Sequence, residues 1–107
     1  MRFFLILPLL LLVTPVSAEN WPQWRGPRLD GTSHDTGFPL DCNPALAAWR
    51  TPLPGEGHAS PIVWGDRVFI TQAAGAQRLV MAFDRKDGKV LWQAGPSYTE
   101  KEPTHST

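Results

Sequence analysis

The chain has 107 residues, with 10 Lys plus Arg against 10 Asp plus Glu, a formal net charge of zero and one cysteine, Cys42. Balanced charge without a basic cluster leaves no electrostatic footprint for nucleic acid or an anionic membrane surface. A lone cysteine excludes an internal disulfide and a zinc site of the cysteine type.

Residues 1–18 read as a secretory signal. Arg2 precedes an almost unbroken apolar run over 3–13, and Val16 and Ala18 put small residues at the minus-three and minus-one sites, so cleavage is expected after Ala18. The run is too short to cross ~30 Å of hydrocarbon, which takes about 20 apolar residues. The residue directly after Ala18 is Glu19 and not cysteine, so the lipid-attachment pattern of a lipoprotein is missing. The expectation is a protein secreted across the inner membrane, periplasmic or extracellular, with no membrane span after signal cleavage.

Residues 19–44, ENWPQWRGPRLDGTSHDTGFPLDCNP, are rich in proline, glycine and aspartate and contain no strand-length apolar run. They read as an irregular N-terminal arm whose Trp21 and Trp24 need a surface to pack on.

From Ala45 the pattern turns to short β runs, and no helix is predicted. ALAAWRTPL at 45–53 reads as a strand ending in the loop PLPGEG, where Pro52 and Pro54 lack backbone donors. HASPIVW, the turn Gly65-Asp66 and RVFITQA form a hairpin. The loop AGAQ leads to RLVMAF, where Leu79, Met81 and Phe83 alternate with Arg78, Val80 and Ala82. DRKDGK is a solvated turn with Gly88 at a positive-φ site, and VLWQA is the fourth strand of an antiparallel meander.

Trp49 and Trp92 stand 43 residues apart, in A-A-W-R-T and V-L-W-Q-A. Four strands at a period of about 40 to 45 residues are the signature of β-propeller blades, as in WD40-like repeat proteins, and spacing alone leaves coincidence between two tryptophans open beside it. Taken with the motif at 82–92, the fold class expected is all-β: a propeller blade of four antiparallel strands after an irregular arm. Residues 45–98 form the first blade with its closing strand, and 99–107 begin an inter-blade loop. The ending YTEKEPTHST lacks a strand, which reads as a fragment of a longer propeller. Such a fragment would leave apolar faces around Val63, Phe69, Leu79 and Met81 open.

The run AFDRKDGKVLW at 82–92 resembles the tryptophan-docking motif A-x-D-x-x-T-G-K-x-x-W of pyrroloquinoline-quinone-like (PQQ-like, quinoprotein-type) propeller repeats, with Asp87 in place of the threonine. WPQWRGP at 21–27 and SPIVWGDRVFI at 60–70 resemble the leader and opening hairpin of exported members. The resemblance implies structural roles. Trp92 would pack between adjacent blades, and Gly88 would admit the neighbouring backbone. Ala82 would leave room for close packing, Asp84 with Lys89 would tie the turn, and Trp49 would act like Trp92 for the blade that the N-terminal strand completes.

The same resemblance covers scaffold proteins and dehydrogenases. It implies a binding or scaffold module whose partners are other proteins or further blades. The alternative is the N-terminal part of a PQQ-dependent alcohol or sugar dehydrogenase, which would carry PQQ and calcium. Its adjacent-cysteine disulfide and calcium ligands find no matching positions here, so no catalytic, cofactor-binding or metal residue is assigned.

The remaining chemistry-bearing residues read as ordinary turn residues. His34, His58 and His105 lack partners at metal-ligand spacing, and Ser60 with His58 and Asp66 lacks a nucleophile elbow. Asp30, Asp35 and Asp41 lack the alternating pattern of a calcium loop and suit Asx turns.

Overall fold

The computed structural model describes residues 18–98. The segment read above as a signal, up to residue 17, and the stretch 99–107 read as the start of an inter-blade loop, with His105, lie outside the described residues. The protein is all-β. Strands β1 (Ile62–Trp64), β2 (Arg67–Ala74), β3 (Gln77–Asp84) and β4 (Val90–Ala94) form one antiparallel sheet in the order β1-β2-β3-β4.

Two-residue turns set the first two hairpins. Trp64 pairs with Arg67 across Gly65-Asp66, and Ala74 pairs with Gln77 across Gly75-Ala76. The period-2 pattern then divides the sheet into two faces. Leu79, Met81 and Phe83 are buried on one face, with Val68 and Ile70 packed against them. The other face carries a row that crosses all four strands: Ile62 opposite Phe69, Phe69 opposite Ala82, and Ala82 opposite Trp92. The rings of Phe69 and Trp92 lie 6.1 Å apart, and Ala82 between them is 0 % exposed.

The region before β1 differs from the sequence expectation. Residues 45–53 form no strand; a single 3₁₀ turn, Pro44–Leu46, opens the segment, capped by the Asn43 side chain on the Ala45 amide. Pro52 and Pro54, which lack backbone donors, work against strand pairing there. At the outer edge of β1, Trp21 and Val63 exchange two backbone hydrogen bonds of 2.7 and 2.9 Å. Because β1 is short, the distal half of β2 has an open edge, and Glu56 bonds Ala73 there in both directions at 2.9 Å. The segment thus crosses the sheet face instead of extending it.

That crossing corrects a second expectation. Met81 is 2 % exposed and Leu79 is also buried, while Val63 and Phe69 are half-buried. Trp49, Leu53 and Pro61 line one apolar space with Val68, Ile70 and Phe83, so the segment before β1 roofs this face. The buried Gln72 supports the roof: its Oε1 accepts from the Gly55 amide at 2.7 Å, and its Nε2 donates to the Met81 sulfur at 2.6 Å. Among the described residues no helix is long and apolar enough to cross a membrane.

Candidate functional site

The richest set of contacts gathers at the end of the sheet that carries the β1–β2 and β3–β4 turns. The β3–β4 turn is closed by its own backbone: the Gly88 amide donates to the Asp84 carbonyl and the Asp84 amide to the Lys89 carbonyl, both at 2.8 Å. The Asp84 carboxylate accepts from the Lys86 amide at 2.8 Å. Asp87, where the motif has threonine, accepts from the Lys89 amide at 3.0 Å.

Asp84 and Lys89 are joined through backbone rather than through their side chains. The Lys89 ammonium lies instead beside Asp87 at 3.6 Å, while the Asp84 carboxylate accepts from the Lys86 amide. A pair this exposed adds little to stability.

Trp49 sits on this turn. Its Nε1 donates to the Arg85 carbonyl at 2.8 Å, and Thr51 Oγ1 donates to the Gly88 carbonyl at 2.5 Å. Gly88 is buried at φ 72, and a Cβ there would overlap Cε3 and Cδ2 of the Trp49 indole. The glycine meets two demands at once: left-handed backbone and room for an aromatic ring.

Arg85 links this turn to the rest of that end. Its amide donates to the Asp66 carbonyl at 2.9 Å and its Nη1 to the Gly65 carbonyl at 3.2 Å. Asn20 Oδ1 accepts from the Gly65 amide at 2.7 Å, which brings in the arm.

Of the motif residues, Ala82, Asp84, Gly88 and Lys89 lie on β3 and its following turn, and Trp49 comes to them from the preceding segment. Trp92 lies elsewhere, on β4 in the row with Phe69 and Ala82, with 44 % of its surface exposed. The two tryptophans therefore occupy opposite faces of the sheet.

The arm holds a second tryptophan on a glycine. Trp21 covers Gly26, which is buried at φ 74 and whose Cβ would clash with the indole. Trp24 is 73 % exposed, its ring 5.4 Å from the Arg25 guanidinium.

At the start of the arm is an ionic cluster that sequence reasoning missed. Glu19 accepts from Arg28 Nη1 at 2.6 Å and Nη2 at 2.9 Å, from Ser33 Oγ at 3.1 Å and from the His34 amide at 3.2 Å. The Arg28 hydrogen bonds are the main cause holding the Glu19 carboxyl at about 2, down from 4.5. A depressed carboxyl contributes stability that is present above pH 4.5 and is lost as pH falls toward 2. Glu19→Gln is therefore expected to flatten the decline over that window, read as urea midpoints; parallel declines in the two proteins would refute the clamp.

The turn residues stay separate. His58, Ser60 and Asp66 are exposed and share no hydrogen bond with one another. Asp30 accepts from the Thr32 amide at 2.9 Å and from its hydroxyl at 2.7 Å, and Asp35 accepts from the Glu19 amide. Among the described residues no group of three or more His, Cys, Asp or Glu is placed to hold a metal. Cys42 is exposed and has no second cysteine in the sequence. The residues described do not fit a quinone and calcium site.

A family model described as outer membrane protein assembly factor BamB, a PQQ-like repeat, matches residues 40–106. The chain belongs to the PQQ-like repeat family. Comparison with curated proteins and with solved structures gave no match. The matched span takes in the whole four-stranded sheet and both Trp49 and Trp92, while most of the arm, including Glu19, Trp21 and Arg28, precedes it. The matched span thus covers the sheet and the turn that seats Trp49, and the ionic cluster lies outside it.

Proposed function

We propose that the protein is an exported PQQ-like propeller module that serves as a binding or scaffold surface, in the periplasm or outside the cell, and that its working partners are neighbouring blades or other proteins. The observation that carries this reading is the seat of Trp49 on Gly88, reached across 39 residues of sequence. A turn that accepts a tryptophan from outside its own hairpin is a device for attaching one unit to the next. Trp92, 43 residues after Trp49, offers the equivalent side chain from the opposite face. The sheet has an exposed second face, and propellers cover such faces with adjacent blades. The description of the matching family, an outer membrane protein assembly factor, supports a binding role over a redox one.

Two measurements on the full chain test the reading. Fractionation of an expressing Gram-negative host is expected to place the protein in the periplasm or medium; retention in the cytoplasm would overturn export. Titration of the purified protein with PQQ and Ca2+, followed by tryptophan fluorescence, is expected to show no saturable change. Saturable binding would replace the scaffold by the dehydrogenase reading.

A further inference from the structure

Glu19 is held at its backbone as well as at its side chain. Its backbone nitrogen donates to both carboxylate oxygens of Asp35, at 3.1 and 3.0 Å. A peptide N–H supplies one hydrogen, shared here between two anionic oxygens, whereas an ammonium supplies three donors and a full charge. The nitrogen belongs to the residue directly after Ala18, where the signal is expected to be cut. Ala18 lines the same cleft as His34 and Asp35, so the Ala18–Glu19 bond lies beside that carboxylate.

We propose that signal cleavage after Ala18 converts the Glu19 nitrogen into an α-ammonium that Asp35 binds as an ion pair, making the processed N terminus a specific internal ligand that the precursor cannot supply. The inference rests on the export reading above. Hydrolysis by a host signal peptidase breaks the Ala18 C–N bond. Water's oxygen goes to the Ala18 carboxylate, and the Glu19 nitrogen leaves bearing three protons.

The cluster is laid out to orient this terminus. Asp35 is half-buried, and its amide donates to Ser33 Oγ at 3.1 Å. Ser33 and the His34 amide, the two residues before Asp35, hold the Glu19 carboxylate. The same residue is thus gripped at both its nitrogen and its carboxylate by one short loop, and the ammonium can form in place without moving the chain. The titratable and charged groups around it are the Glu19 and Asp35 carboxylates, the Arg28 guanidinium, Asp30 and the His34 imidazole. Arg28 opposes the ammonium, but its guanidinium makes two hydrogen bonds to Glu19, which offsets that charge locally.

The test uses the exported, purified protein. Mass spectrometry and N-terminal sequencing are expected to find Glu19 first. Competitive acetylation across pH then reads the α-amine. Its pKa is expected about one unit or more above the ordinary 7.7–8.0, as for any cation with a carboxylate in contact. Asp35→Asn is expected to return it to the ordinary range, and Asp35→Glu to keep part of the rise. A protein that begins at Glu19 but whose amine titrates in the ordinary range overturns the ion pair and leaves export standing. A purified protein that retains residues before Glu19 overturns processing at Ala18, and the ion pair with it. The wild-type titration decides the matter even where a variant fails to fold.

Discussion

Gly88→Ala is expected to lower the stability of the protein by about 3 kcal/mol, combining the cost of alanine in left-handed backbone with that of forcing a methyl group into packed atoms. Both costs come from geometry. Gly88 stands at φ 72, and the added Cβ would occupy the position of Trp49 ring atoms and crowd Thr51 Oγ1. The indole cannot retreat without breaking its hydrogen bond to the Arg85 carbonyl. Gly75→Ala separates the two costs, since Gly75 has φ 57 with nothing within 4 Å of its would-be Cβ. It is expected to lose only about 1 kcal/mol, the backbone share alone. In urea the Gly88 variant should unfold at a midpoint lower by about 1 M or more. Equal shifts for the two variants would mean that the indole does not press on Gly88.

The contrast between these glycines shows what the sequence could carry. Alternation in RLVMAF and the glycine turns placed β2, β3 and β4 within a residue or two, because period-2 burial and positive-φ turns are local properties. β1 came out shorter than HASPIVW: its pairing with β2 begins only at Ile62, after Pro61, which has no amide to donate. The fate of 45–53 was not legible. Whether an apolar stretch extends a sheet edge or crosses its face is decided by long-range contacts, and those of Trp21 with β1 and Glu56 with β2 are single bridges that leave no periodic trace. The motif residues at 82–92 were legible by resemblance, but which side chain rests on Gly88 was not. The Glu19 cluster was invisible for a similar reason: Arg28, Ser33 and Asp35 meet Glu19 only through the looping of a proline- and glycine-rich arm.

Trp49→Ala is expected to cost about 3 kcal/mol, from lost ring packing and a lost hydrogen bond that leaves the Arg85 carbonyl without its indole donor. Trp92→Ala in the same chain should cost about 1 kcal/mol, since its 44 % exposed ring gives up chiefly the contact with Phe69. Trp49→Phe divides the larger loss: it keeps most of the aromatic cover on Gly88 and removes the hydrogen bond, a difference of about 1 kcal/mol. Thermal or urea unfolding followed by far-ultraviolet circular dichroism reads all three without depending on the remaining tryptophans. A cycle that combines Trp49→Ala with Gly88→Ala then tests the seat itself. Without the indole the alanine methyl group loses its two closest clashes and still meets Thr51 Oγ1 at 2.7 Å, so the second substitution should cost about 1 to 2 kcal/mol, less than in the parent, and the pair should be non-additive. Additive losses would show that Trp49 and Gly88 stabilise the protein independently, and would remove the main support for reading this turn as a docking device. Non-additivity confined to this pair would locate the docking energy at one glycine, and Trp92 would then be expected to need a turn of the same design in whatever unit it meets.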